Sequence, residues 1–235
     1  MSKTYYYFND KKYPIDVTND TLKITPATFH PNGQMWETES IKIFYNYINN
    51  KTKYNIIDIG AQSGLYSLYA KYLPLSTFYS FEPFPETYKL LNDNLILNNI
   101  KNVKTFNLGL SNKSGSAILN TSISHNGLHT LGKNPLRFDD IKKIEINIET
   151  IDNLFYDKNI DVDFIKIDTE GHEYYILQGG LKTIKKCNPI IQIEWNITNL
   201  KQCDVDSDSF MNFISNDLDY KILIHHDEEL IICKK

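Results

Sequence analysis

The chain has 235 residues, 41% of them hydrophobic and 23% charged, with a formal net charge of −4. That length buries a full core in one domain without staples, and the acidic balance argues against a nucleic-acid backbone as partner. Cys187, Cys203 and Cys233 are too widely spaced for a CxxC metal site or a disulfide framework, and no stretch reads as a signal peptide or a membrane span. The expectation is a soluble cytoplasmic protein with reduced thiols and no membrane partner.

Residues 1–33 are polar and aromatic with scattered turn formers, and read as short strands or an N-terminal extension. Glu37 to Asn49 has Ile41, Phe44, Tyr45 and Ile48 at helical spacing. Asn55–Ile59 is a short apolar run closed by Gly60, the pattern of a central parallel strand. Leu65 to Leu73 reads as a helix stopped by Pro74, Thr77–Phe81 as a strand, Pro85 to Asn98 as a helix and Val103 to Leu108 as a third strand.

Residues 111–149 interrupt this alternation with candidate strands Ser116–Asn120 and Lys143–Glu149 and a polar loop, 121–139, between them. The winding resumes with strand Asp163–Asp168, helix Gly171–Gln178 and its Gly179-Gly180 stop, strand Ile190–Trp195 and helix Phe210–Leu218. Tyr220–Ile224 and Leu230–Cys233 then form a closing hairpin. The fold class is α/β, a mostly parallel twisted sheet with a β insertion. Residues 1–50 form an extension and helix on the core of the domain 51–235, and self-association stays open.

Four groups of residues carry chemistry. Asp58-Ile-Gly60-Ala61-Gln-Ser-Gly64 lies between a strand and a helix, where glycines let a ligand approach the backbone. Gln62 and Leu65 stand where a dinucleotide fingerprint needs glycines, so that reading fails. The spacing D-x-G-x-x-x-G instead resembles that of class I methyltransferases, whose cofactor has no phosphate. Glu82, followed by Pro83, ends the next strand, where a carboxylate can accept both ribose hydroxyls.

Asp168-Thr-Glu170-Gly-His172-Glu173 follows a strand, at the sheet edge where wound sheets bind ligands. Asp168 would face the reacting centre, and His172, one turn into a helix, could serve as base. The same residues also suit helix capping and the helix dipole. Glu194, ending the strand after, could reach the same cleft, and two carboxylates there could hold a divalent cation.

Together, NIIDIGAQSGLYSLYA, FEPFPETYKLLNDNLILNN, IDNL, DFIKIDTEGHEYYILQGG and PIIQIEW resemble the FkbM-type family of S-adenosylmethionine-dependent methyltransferases over roughly residues 35–197. The resemblance implies a Rossmann-like class I methyltransferase fold with a reversed last strand, and O-methylation of a sugar, glycan or polyketide hydroxyl. It implies cofactor binding by Gly60, Gly64 and Glu82, with Asp58, Ala61, Tyr66 and Pro83 beside them, and by Leu108 and Gly109 near the adenine. Asp168 and Glu170 fall beside the transferred methyl, and Glu37 matches a recurrent acid.

Gln62, where the family often has Asn, is a departure, and 121–139 matches nothing and is expected to set the acceptor. The rival readings are an amine acceptor, a dinucleotide-dependent sugar-modifying enzyme, and a binding module without catalysis. Heavy use of Asn, Ile, Lys and Tyr suggests an A/T-rich genome, and with the breadth of the family a giant virus or protist, the compartment being the host cytoplasm if viral.

Overall fold

The structure is a computed structural model, and it describes residues 3–8, 11–16, 38–48, 51–122, 129–133, 141–226 and 228–235. A hairpin of β1 (Lys3–Phe8) and β2 (Lys11–Asp16) precedes helix α1 (Thr38–Tyr47). Then follow β3 (Asn55–Ile59), a 3-10 helix (Ser67–Tyr72), β4 (Thr77–Phe81), α2 (Pro85–Leu97) and β5 (Val103–Phe106). Strands β6 (Gly109–Leu110), β7 (Gly115–Ser122) and β8 (Ile141–Glu149) form a separate sheet. A π-helical turn (Asp152–Tyr156) leads to β9 (Phe164–Ile167), α3 (Glu173–Gln178), α4 (Leu181–Cys187), β10 (Ile190–Glu194), α5 (Ile197–Gln202) and α6 (Ser207–Asn212). A second π-helical turn (Phe213–Asp217) precedes β11 (Tyr220–His226) and β12 (Glu229–Lys234).

The main sheet runs β11-β12-β10-β9-β3-β4-β5. Strands β5, β4, β3, β9 and β10 are parallel, and β12 inserts antiparallel between β10 and β11. This is the methyltransferase order with a reversed last strand that the resemblance implied.

Both faces of the sheet are covered, and strand alternation assigns the residues. Ile57, Ile59, Tyr79, Phe81, Ile165, Ile167, Ile191 and Ile193 enter one core. On the other face Ile56, Phe78 and Phe164 pack against Ile41 and Phe44 of α1 and Ile48 just after it. The Phe44 ring meets Tyr66, Tyr69 and Phe164 edge-on at 5.2–5.7 Å, a geometry that adds about 0.5–1.5 kcal/mol per pair to simple burial.

Two residues further along each strand, this second face turns polar. Ser80, Asp58, Lys166 and Gln192 lie in one register across β4, β3, β9 and β10, all buried. One more step along brings Glu82, Gly60, Asp168 and Glu194 to the carboxyl ends. An apolar floor that gives way to a polar row is what builds a site at this edge of the sheet.

Several boundaries differ from the sequence reading. The segment at 65–73 forms a 3-10 helix, because the turn through Gly64 consumes the residues a first α-turn would need. The strand expected over 103–108 ends at Phe106, and Gly109 pairs with Ile148 in the insertion sheet. The helix expected at Gly171 starts at Glu173, since Gly171 has φ +106° and cannot be helical. Helix 210–218 is instead α6 followed by the π-turn, and α4 and α5 were not anticipated.

Candidate active site at the carboxyl ends of the parallel strands

After Ile59 the chain must reverse within a few residues. Gly60 has φ +73°, and a Cβ there would lie 1.8 Å from the Asp168 carbonyl oxygen. Gly64, at φ +97°, would push a Cβ to 2.7 Å from the Leu91 side chain. The amides of Gly60 and Ala61 both donate to the Phe81 carbonyl at 3.0 Å. The Gln62 amide donates to Glu82 Oε2 at 3.0 Å, so the loop is fastened to the end of β4.

Glu82 Oε1 accepts from the Phe84 amide at 2.9 Å. A carboxylate has about four lone-pair sites. Two are spent on these amides, and one on each oxygen remains for two further donors. Burial pushes the Glu82 carboxyl up to about 7, against the pull of the two amides. The Asn107 side chain donates to the carbonyls of Glu82 and Pro83 and holds this corner. Behind the loop, Ser67 Oγ donates to Asp58 Oδ2 at 2.7 Å and contacts Ser80 Oγ at 2.7 Å. Asp58 Oδ1 is buried with no hydrogen-bond partner among the described residues, and burial raises the Asp58 carboxyl above its usual range.

Beside this loop, β9 and β10 end in acids. Lys166, nearly buried, lies 3.3 Å from Asp168 Oδ2, donates to the Gly60 carbonyl at 3.2 Å and sits 4.9 Å over the Tyr66 ring. Glu170 has φ +56°, accepts from Asn199 Nδ2 at 2.6 Å, and its carbonyl accepts from Thr130 Oγ1 at 2.8 Å. Glu173 Oε1 accepts from the amides of Thr169 and Gly171 and from the Thr169 hydroxyl, which closes the loop from Asp168 to α3. Burial pushes Glu173 to about 7. Asp168, Glu170 and Glu194 bring one oxygen each to within 4.8 Å of one another.

The remaining expected residues are more dispersed. Tyr66 is buried under the loop, where its hydroxyl accepts from Gln192 Nε2 at 3.1 Å. Leu108 is half-buried against the core, and Gly109 is buried in the insertion sheet beneath Ile146 and Ile148. His172 stands at the N-terminal end of α3 rather than one turn into it. Its Nε2 is 2.9 Å from Ser111 Oγ, burial lowers it to about 4, and it is not part of the three-acid group. Glu37 lies outside the described residues, as do 123–128 and 134–139 of the expected acceptor loop. The described part of that loop does reach the site: Thr130 bonds Glu170, and the Lys133 amide donates to the Gln202 carbonyl.

Lys166, Gln192 and Glu229 were not singled out in the sequence. The signal was there in strand alternation, because Lys166 and Gln192 sit two residues before Asp168 and Glu194 and must share their face. Gln192 Nε2 donates to Glu229 Oε2 at 3.0 Å, and burial pushes Glu229 to about 7.

These residues fit a nucleoside cofactor of the kind the resemblance implied. Gly60 lets the β3 loop lie directly against the Asp168 backbone, Glu82 keeps two acceptor positions, and the Asp58 oxygen has no donor among the described residues. A family model described as the methyltransferase FkbM domain matches residues 58–222. The chain belongs to the FkbM methyltransferase family.

This FkbM-family chain is 30% identical over 164 residues to methyltransferase sdnD of Sordaria araneosa, covering 57% of the chain and 63% of that relative. The solved FkbM methyltransferase of Methylobacillus flagellatus KT superposes with a TM-score of 0.55 at 18% identity, over 80% of this chain and 45% of that one. The chain thus spans under two thirds of the length of either. P. horikoshii TYW2 in complex with MeSAdo gives a TM-score of 0.50 at 14% identity, covering 98% and 69%. A rRNA methylase from Streptococcus thermophilus gives 0.50 at 10% identity, covering 84% and 95%. At such identities these likenesses speak for the fold, the class I methyltransferase fold.

Proposed function

We propose that the protein is an S-adenosylmethionine-dependent methyltransferase that methylates a hydroxyl of a sugar, glycan or similar small molecule in the cytoplasm. One observation carries the reading: the Gly60–Gly64 loop is fastened to Glu82, and the acids Asp168, Glu170 and Glu194 converge beside it. Glu82 would receive the ribose hydroxyls on its two remaining acceptor positions, and Asp58 the amine, directly or through water. When bound, the cofactor supplies a methyl already activated on a sulfonium.

The protein's own task is then to place an acceptor oxygen about 3 Å from that methyl and to take its proton. Asp168 accepts the proton, while Glu170 and Glu194 orient the acceptor. Thr130 brings the insertion to the acceptor side. Charge supports the substrate class. Among the described residues carboxyls outnumber the one buried lysine, Lys166, along these strand ends, an oxygen-rich lining that suits a neutral polyol. Among the described residues no helix is long and apolar enough to cross a membrane.

The test is incubation of the protein with methyl-labelled S-adenosylmethionine and a panel of simple glycosides and amino sugars, with products read by mass and NMR. The expected product carries one methyl on oxygen. Two methyls on one nitrogen would put an amine in place of the hydroxyl, and transfer to none of the panel would remove the sugar reading.

A further inference from the structure

We propose that Lys166 is a positioning residue of this site, its one ammonium fixing the Gly60 end of the cofactor loop and the Asp168 carboxylate against each other. The role rests on the methyltransferase reading and deepens it. Lys166 is the third residue of β9, between Ile165 and Ile167. Register sets it between Asp58 of β3 and Gln192 of β10. The residue is only 6% exposed, and lysines are seldom so buried unless paired. A buried charge is costly, and an isoleucine would floor the crevice without it.

The reason lies where the side chain ends. Nζ donates to the Gly60 carbonyl at 3.2 Å, lies 3.3 Å from Asp168 Oδ2 and sits 4.9 Å over the Tyr66 ring. The first two partners belong to different loops. Gly60 opens the loop after β3, which Gln62 fastens to Glu82. Asp168 opens the loop after β9, which Glu173 closes. One ammonium therefore engages both halves of the site.

Backbone contact alone does not do this work. The Asp168 amide donates to the Ile59 carbonyl at 3.1 Å, which sets how near the two loops lie but not where the Asp168 side chain points. That side chain is 29% exposed and free to turn to solvent but for the lysine. The same charge reaches the carboxyls of Asp58 on β3, Glu82 after β4 and Glu229 on β12, and opposes the effect of burial on each. A side chain of equal length without the charge would fill the space and lose all of these interactions.

The experiment is calorimetric titration with S-adenosylhomocysteine of the full wild-type chain, Lys166→Met and Lys166→Arg. Methionine keeps the length and the apolar stem, while arginine keeps the charge on a planar group that stacks on an aromatic ring. Lys166→Met should bind at least about tenfold more weakly, as a hydrogen bond from a charged donor is lost. Lys166→Arg should recover most of that loss, whereas a role in packing alone predicts the opposite order. Denaturant melts of Lys166→Met, Asp168→Asn and the double variant read the other arm. The two losses should depart from additivity by about fivefold or more in the unfolding constant. If Lys166→Met does not fold, Lys166→Gln is read in its place. Equal binding by wild type and Lys166→Met, a loss in Lys166→Arg as large as in Lys166→Met, or additive melts overturn the role and leave the methyltransferase reading standing. A wild-type chain that binds no S-adenosylhomocysteine removes that reading and the role with it.

Discussion

Gly60→Ala should melt far below wild type, losing on the order of 3–5 kcal/mol, and should lose cofactor affinity with it. The figure has two parts. A positive φ on a non-glycine residue costs about 1–3 kcal/mol, and Gly60 sits at φ +73°. Overpacking a tight site costs about 1–3 kcal/mol more, and the added Cβ would lie 1.8 Å from the Asp168 carbonyl oxygen, a backbone atom that no rotamer change can move. Relief requires β3 and the start of the Asp168 loop to separate, which breaks the contact between the two halves of the site. Gly115→Ala is the control: its φ is +135°, but nothing lies within 4 Å of the added atom. That variant carries the backbone strain alone. Denaturant melts compare them directly, and equal losses for the two would refute the steric account of Gly60.

Asp168→Ala should lower turnover by about 10²–10⁴-fold, the usual worth of a positioned general base. Its affinity for S-adenosylhomocysteine should stay within about threefold of wild type, because the proposed nucleoside contacts are those of the β3 loop and Glu82. His172→Ala should keep turnover within about fivefold. His172 bonds Ser111, is not part of the acid group and is held neutral by burial, so its loss disturbs packing at the start of α3 rather than proton transfer. Steady-state rates with a confirmed acceptor measure both. A collapse of activity in His172→Ala alone, with Asp168→Ala near wild type, would reverse the assignment of the base.

The edge strand β5, VKTF before Asn107, is half-exposed and its end was misplaced, whereas strands β3, β4, β9 and β10 were legible because each is a short, mostly apolar run closed by Gly or an acid. The closing hairpin was equally plain. Short elements were not: α4 and α5 span seven and six residues, under two turns, too few for a helical period to emerge. The turn after β3 also misled, since Leu65 to Leu73 has helical spacing but Gly64 at φ +97° delays the start.

In the site, Asp58, inside β3, could be found by its spacing to Gly60, and Gly60, Glu82 and Asp168 because each follows a strand. Lys166 was hidden inside one, where a lysine between isoleucines reads as an edge or an irregularity. Only the register of β9 against β3 shows that it points at the Gly60 carbonyl. The approach of Thr130 to Glu170 joins residues 40 apart in sequence, and no local pattern encodes it.

Calorimetric titration with S-adenosylhomocysteine of the wild-type chain and of Glu82→Ala tests the shared basis of these claims most directly. The prediction is one nucleoside bound per chain, with affinity falling by roughly 10²-fold or more in the variant as two hydrogen bonds to a charged acceptor are lost. No binding to the wild-type chain, or binding that Glu82→Ala leaves intact, would contradict the placement of the cofactor between the β3 loop and the end of β4.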